Sequence, residues 1–272
     1  MHQEPYLTTQ MGSLFDGDCL NILPSLASES IDMIFADPPF NLGKEYGTMG
    51  SDQLPDSDYI AWCKEWLTQC IRVLSPGGAI FIYHLPRWNI ELGYYMSALG
   101  LEFRHWIAID NGSGFPIRGR LYPAHYSMLY YTKGKPRVFN KIRTPVELCR
   151  HCGHEVKDYG GHRKALHQDG VSLKDIWTDV PVVRHRKYKA IGRRENALSS
   201  KIVSRAILLT TCPGDIVLDP FGGSGTTYAA CESLRRRWIG IELNDYELIS
   251  ERLTNNDVFL HPTKDIVECA CQ

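Results

Sequence analysis

Short apolar runs separated by stretches of helical spacing organise this chain. Residues 31–36, 79–83, 216–219 and 237–242 are each too short for a helix, rich in Ile, Val, Leu and aromatic residues, and bounded by turn formers, so each predicts a strand. Residues 103–109 and 125–132 predict a further pair. Residues 58–74 place Ile60, Trp62, Trp66, Ile71 and Leu74 at helical spacing and are stopped by Ser75-Pro76-Gly77-Gly78. A second helix is predicted over 88–99 and a short one over 20–26. This alternation of strand and helix predicts an α/β fold with a doubly wound, mostly parallel sheet.

The strand at 31–36 runs into Asp37-Pro38-Pro39-Phe40. An exocyclic amino group of a nucleobase is a poor nucleophile until acceptors hold both hydrogens and draw the nitrogen lone pair out of conjugation. An ionised Asp37 accepts only, and the Pro38 carbonyl belongs to a residue with no N–H of its own. Phe40 adds a flat face for stacking. These residues fit amino-group chemistry on a base, with Asp37 offsetting the positive charge that the attacking nitrogen gains. A strand end with Asp as a turn former before two prolines is the plainer reading of the same four residues.

Far along the chain, the strand at 216–219 leads into Asp219, Pro220, Phe221, Gly222, Gly223, Ser224, Gly225 and Thr226. Glycines there permit a tight turn and close approach of backbone to a ligand. About twenty residues beyond the turn, the strand at 237–242 ends in Glu242, placed to receive ribose hydroxyls. Strand, glycine turn, helix, strand and terminal acid together describe a nucleoside-cofactor site. No Lys follows the glycines, which argues against a phosphate-cradling P-loop.

The two motifs, in this order and with a basic segment between them, resemble the β-class DNA amino-methyltransferases over nearly the whole chain, from Leu14 to about Leu253. The resemblance implies a Rossmann-like, seven-stranded methyltransferase fold with circularly permuted motif order. It further implies S-adenosylmethionine as methyl donor, a base flipped out of duplex DNA, and catalytic roles for Asp37, Pro38, Pro39 and Phe40. Adenine N6 is the acceptor it favours, since members acting on cytosine N4 more often begin this motif with Ser; cytosine N4 stays the alternative, as does an amino acceptor in RNA or protein. Asp37 also borders the donor site, and Asp18 and Cys19 are candidates for the edge of the donor's adenine, although Asp18 serves equally well as a helix N-cap. Where the family has a His-Pro-Thr-Gln-Lys-Pro-like run, this chain departs from the pattern. Lys201 is the one clear match, with Asn196 and Ser199 as candidates for the donor's methionine end. A second copy of the chain and a restriction endonuclease are further partners consistent with the resemblance.

Charge sharpens this picture. The net charge of the 272 residues is -1, yet residues 133–194 hold sixteen Lys and Arg against six Asp and Glu, a local +10 in a body of -11. Such a segment concentrates positive potential where a polyanion docks. Arg184, Arg186, Lys187 and Lys189 are its candidate phosphate contacts, and Arg118 and Arg120 flank the predicted catalytic strand ends. Within the segment, Cys149 and Cys152, with His162 and His167, have zinc-ligand spacings, though the nine residues between the pairs fall short of the commoner finger. A structural zinc there would hold together an insert with little core; reduced thiols and phosphate-facing histidines are the alternative. The expected division is a catalytic half at 12–135, a DNA-recognition insert at 136–192, a cofactor half at 193–255 and a tail at 256–272. Residues 43–56 read as a loop able to close over a flipped base. The nine cysteines, with no export signal visible, are not expected to form a disulfide framework; most of them, such as Cys63, Cys70, Cys212 and Cys231, are expected reduced and buried or half-buried. With no long apolar stretch, a cytoplasmic protein without a membrane partner is expected.

Overall fold

The computed structural model describes residues 4–43, 53–110, 118–119, 121–146, 148, 151–154, 167–181, 198–244, 246–254 and 265–268. Its main sheet has nine strands. In spatial order they are β1 (Leu7–Thr8), β2 (Gly12–Asp16), β11 (Arg237–Glu242), β10 (Ile216–Asp219), β3 (Ile31–Ala36), β4 (Leu74–His84), β6 (His125–Thr132), β5 (Glu102–Asp110) and β9 (Ile176–Trp177). The five strands from β2 to β4 are mutually parallel, and β6 is antiparallel to both its neighbours. The expected seven strands are therefore present, extended by a two-residue strand on each edge.

Successive side chains of a strand face opposite sides, and the two cores follow this rule. Met33 and Phe35 of β3 pack with α4 (Ser200–Thr210), α5 (Thr226–Ser233) and α6 (Tyr246–Thr254). Ile34 and Ala36 pack with α1 (Cys19–Ile22), α2 (Asp56–Val73) and α3 (Pro86–Ala98). In α2 the buried face is Tyr59, Cys63, Trp66, Leu67, Cys70 and Val73, an apolar stripe at helical spacing, and Asp56 and Asp58 in its first turn complement the helix dipole. The Ser75-Pro76-Gly77-Gly78 breaker does not make a loop before the strand. The β3–β4 pairing jumps from Ile31–Leu74 to Met33–Ala79, so these four residues are accommodated as an irregularity inside β4.

The basic insert and the chain's last residues are joined. A second sheet pairs β7 (Lys141–Thr144) with β8 (Val171–Ser172) on one side and with β12 (Ile266–Glu268) on the other. Residues beyond 255 thus contribute a strand to the insert's sheet, and Trp177 of the insert is buried in the main core. Arg205 of α4, wholly buried, closes this junction. Its guanidinium donates to both carboxylate oxygens of Asp179 at 2.8 and 2.7 Å, and to both of Asp265 at 2.7 and 3.0 Å. Of the cysteines expected reduced, Cys63, Cys70 and Cys231 are free and buried. Cys212 departs from the expectation: it is disulfide-bonded, its partner lying outside the described residues. An odd cysteine total does not exclude a single pair. No described helix is long and apolar enough to cross a membrane.

Candidate active site

The strand order reverses between β10 and β3. From β3 the chain moves to β4 on one side, and from β10 it moves to β11 on the other. Val217 lies opposite Met33 and Leu218 opposite Ile34, so Asp37 and the Pro220–Phe221 turn leave the same edge of the sheet on strands about 4.8 Å apart. Ligands in open α/β sheets bind in this crevice. At the far ends of the same strands, Asp32 accepts from the Ile216 amide at 2.9 Å, and Arg137 bridges Asp32 and Asp215 at 3.1 and 2.5 Å. The pairing that aligns the two motifs is therefore pinned from below.

On the β10 side, the glycine turn is built around Asp219. This buried carboxylate accepts from the Phe221 amide at 2.9 Å and from the Thr227 hydroxyl. Burial pushes its pKa up to about 7; the Thr227 and Phe221 hydrogen bonds oppose that rise and the Glu242 charge adds to it. Gly225 closes the turn at φ 73°, a left-handed conformation, as it enters α5. A Cβ on Gly222 would fall 2.4 Å from the hydroxyl of buried Tyr228. Glu242 is drawn to the turn, accepting from the amides of Gly223 at 2.6 Å and Asn244 at 2.9 Å. Ser224 and Thr226 share a hydrogen bond at 3.1 Å, and Phe221 packs its ring edge-on to Trp66. Because the folded-state pKa of Asp219 is raised, its contribution to stability is full below about 3.8 and is lost as pH rises through about 7. In urea unfolding, the stability of the wild type relative to Asp219→Asn is expected to fall across that window; a pH-independent difference would refute the assignment.

On the β3 side, the acid–proline turn is held by its carbonyls. Tyr59 Oη donates to Pro39 O, and Trp88 Nε1 donates to Phe40 O at 3.1 Å. Phe40 stacks on His84 with ring centres 4.7 Å apart and tilts against Tyr126 at 5.8 Å and Tyr83 at 6.1 Å. One face of Phe40 is thus already covered by an imidazole. Burial first, and then the charge of Asp37, raise the phenol pKa values of Tyr83 and Tyr126. Asn41, just past the turn, exchanges two hydrogen bonds with the backbone of Leu54, at 2.9 and 2.7 Å.

A DNA methylase family model matches residues 31–251, which takes in both motifs and the crevice between them. The chain belongs to the DNA methylase family. It is 50% identical over 255 residues to type II methyltransferase M.BamHI of Bacillus amyloliquefaciens, covering 93% of this chain and 60% of that protein. The chain therefore spans about three fifths of that relative's length. It is 30% identical over 260 residues to DNA adenine methyltransferase YhdJ of Escherichia coli K12, covering 92% of this chain and 84% of that one. Among solved structures, PvuII DNA methyltransferase (cytosine-N4-specific) has a TM-score of 0.68 at 21% identity, over 95% of this chain and 90% of that one. The M1.HpyAVI–SAM complex has a TM-score of 0.60 at 21% identity, over 89% and 99%. These two likenesses show the fold.

Other site residues expected in this methylase are placed as follows. The Gly17 amide donates to Glu242 O at 2.9 Å, so Asp18 and Cys19 join the same crevice edge; Asp18 caps α1 through the Leu20 amide at 2.9 Å, and Cys19 is buried. Since α4 leads back into β10, its N-terminus and Ser199 also lie at this edge. Lys201 lies in the first turn of α4. Its ammonium is held by Asp179 at 2.7 Å, because the insert folds a carboxylate against the first turn of α4. Arg118 is exposed, as is Cys152, while His167 faces Asp169 at 3.3 Å and Glu268 at 3.9 Å. Arg120, Cys149, His162, Arg184, Arg186, Lys187, Lys189 and Asn196, with most of the loop at 43–56, lie outside the described residues. Among the described residues no cluster of His, Cys, Asp and Glu could hold a metal. Sequence reasoning missed Tyr59, His84, Trp88 and Tyr126 at the site. The one available signal was that His84 ends an otherwise apolar strand.

Proposed function

We propose that this DNA methylase transfers a methyl group from S-adenosylmethionine to an exocyclic amino nitrogen of a base in duplex DNA, adenine N6 being the assigned acceptor. The observation that carries the reading is the adjacency of the Asp37 turn and the glycine turn on neighbouring strands at the reversal of strand order. The residues present suit the donor. Glu242 is oriented at the glycine turn for ribose hydroxyls, and Ser199, buried at the start of α4, has a hydroxyl with no hydrogen-bond partner among the described residues. A buried orphan hydroxyl is costly unless a ligand satisfies it.

When bound, S-adenosylmethionine supplies an electrophilic methyl carbon on a sulfonium. Asp37 and the Pro38 carbonyl accept the two amino hydrogens and localise the nitrogen lone pair, and Phe40 with its neighbouring rings borders the base. Loss of the methyl group would leave the C–S bonding pair on sulfur, and the acceptor nitrogen, once methylated, would carry the positive charge. Asp37 stabilises that charge and is placed to take the proton that restores neutrality. Holding both reactants in one crevice accounts for much of the acceleration, with no covalent enzyme intermediate. Extrusion of the base from the stack is required for it to reach so recessed a turn.

The basic segment at 133–194, with its balance of +10, is the docking surface for the DNA backbone. Structural zinc at Cys149, Cys152, His162 and His167 remains our proposal for how that insert is held. A type II relative favours a modification enzyme that shares its DNA site with a restriction endonuclease. Cytosine N4 is the second reading, because its amino group and adjacent ring nitrogen present the same donor–acceptor edge as adenine N6 and N1. With tritiated S-adenosylmethionine and three acceptors, duplex DNA, RNA and protein, label is expected in DNA alone. Label confined to RNA or protein would overturn the proposal.

A further inference from the structure

The acid–proline turn poses a mechanical problem. Pro38 and Pro39 have no N–H, so the turn cannot be fixed by its own amides at the two positions where carbonyl orientation matters most. The donors must come from elsewhere, and three buried side chains supply or support them: Tyr59 from α2, His84 from the end of β4 and Trp88 from α3, at 2%, 0% and 4% exposure.

The hydrogens of this group can be assigned one by one. His84 Nδ1 accepts from the Leu85 amide at 2.8 Å, so it carries no proton. The single Tyr59 hydroxyl hydrogen goes to Pro39 O. The 2.6 Å contact between Tyr59 Oη and His84 Nε2 must then be a bond in which Nε2–H donates. Every donor points toward the turn, from Leu85 through His84 and Tyr59 to Pro39, an arrangement in which each bond strengthens the next. The same imidazole supports the turn twice, since its face carries the Phe40 ring at 4.7 Å. Burial and the nearby Arg87 charge lower the His84 pKa to about 3, which keeps this hydrogen order fixed near neutral pH. Apolar residues at 59 and 84 would fill the space without the desolvation that a buried phenol and imidazole cost.

We propose that Tyr59 and His84 are positioning residues that fix the Pro39 carbonyl and the Phe40 ring, and through them orient the turn that presents the Pro38 carbonyl to the target base. Trp88 is the auxiliary donor. The inference rests on the reading that Asp37 and Pro38 hold the reacting amino group, and it adds how that grip is kept in place. Tyr59→Phe keeps the ring and removes the hydrogen bond.

The test is a single-turnover assay with enzyme in excess, tritiated S-adenosylmethionine and unmethylated genomic DNA, run beside donor binding by equilibrium dialysis. In Tyr59→Phe the rate constant for transfer is expected to fall about 10- to 100-fold. Reaction amplitude and donor Kd should stay within about twofold of wild type. A purely structural role would instead reduce amplitude and donor binding at an unchanged rate constant, and that result, or a wild-type rate, overturns the proposal. Should Tyr59→Phe fold poorly because it leaves the His84 N–H unsatisfied, Tyr59→Phe/His84→Leu removes that buried donor as well, giving up the Leu85 amide's bond to His84 Nδ1. It should remain slow, and a wild-type rate in that double variant is equally fatal. Asp37→Ala in the same assay separates the two layers. An inactive Asp37→Ala with a fully active Tyr59→Phe removes only the positioning pair, whereas wild-type transfer by Asp37→Ala removes the site reading and the pair with it.

Discussion

Asp37→Ala is expected to lower the single-turnover rate of methyl transfer to DNA by on the order of 10³-fold or more, with S-adenosylmethionine affinity within about twofold of wild type. The asymmetry follows from where the side chain sits. Asp37 follows the end of β3, whereas the glycine turn and Glu242 belong to β10 and β11. Removing the carboxylate leaves the amino group without an acceptor for one hydrogen and without a counter-charge as nitrogen becomes positive. Asp37→Asn keeps an acceptor oxygen and loses the charge, so its rate should fall between those of the alanine variant and the wild type. Rapid-quench transfer assays and equilibrium dialysis measure the two quantities separately. Loss of donor affinity in parallel with rate would mean that Asp37 belongs to the donor's site.

Arg205→Met is the change expected to cost the most stability, about 3–5 kcal/mol. In the folded chain, Asp265 is 1% exposed and has Arg205 as a bidentate partner; Asp179 is bound by Arg205 and Lys201 together. Methionine fills much of the arginine volume and leaves two carboxylates in place, one of them buried. The loss should appear as a lower urea midpoint and as a Tm reduced by on the order of 10 °C. Burial raises the Asp179 pKa, but its bonds to Arg205 and Lys201 more than reverse this and hold it well below the usual carboxylate range. Its folded pKa being depressed, the stability it contributes is present above the ordinary aspartate range and is lost as the solution is acidified below it. The Arg205→Met penalty should therefore shrink in acid. A cost below about 1 kcal/mol at neutral pH would show that the clamp joining insert, α4 and the last strand is not a stabilising element.

Strands that carry the chemistry were legible because local pattern and chemistry coincide there. β3, β10 and β11 begin and end where apolar runs meet Asp37, the glycine turn and Glu242. The span of α2 was equally plain, its start differing from the expected one by two residues, but its buried face was not: Tyr59, Cys63, Leu67, Cys70 and Val73 are buried beside Trp66, while the expected Ile60, Trp62 and Ile71 are only partly buried. Strand order was not legible in the same way, since the adjacency of β10 and β3 joins Val217 to Met33 across most of the chain. Ser75-Pro76-Gly77-Gly78 misled because breaker residues signal an interruption without saying whether it becomes a loop or a strand irregularity. Lys201 matched a family position in type, but the Asp179 carboxylate that takes it lies in the insert, 22 residues away. The turn's supports were hidden for a related reason. Tyr59 falls outside the apolar stripe that the spacing predicts, and only the folded chain brings its hydroxyl to a carbonyl 20 residues distant.

The central claim is that a methyl donor at the glycine turn faces a base amino group held at Asp37. Enzymatic digestion of DNA methylated by the purified protein with tritiated S-adenosylmethionine, followed by separation of the nucleosides, tests it most directly. The account predicts label in N6-methyldeoxyadenosine, with label in N4-methyldeoxycytidine keeping the site and changing the base. Label on a ring carbon, as in 5-methyldeoxycytidine, would contradict it, because carbon methylation has no use for an acid and a carbonyl that grip two amino hydrogens.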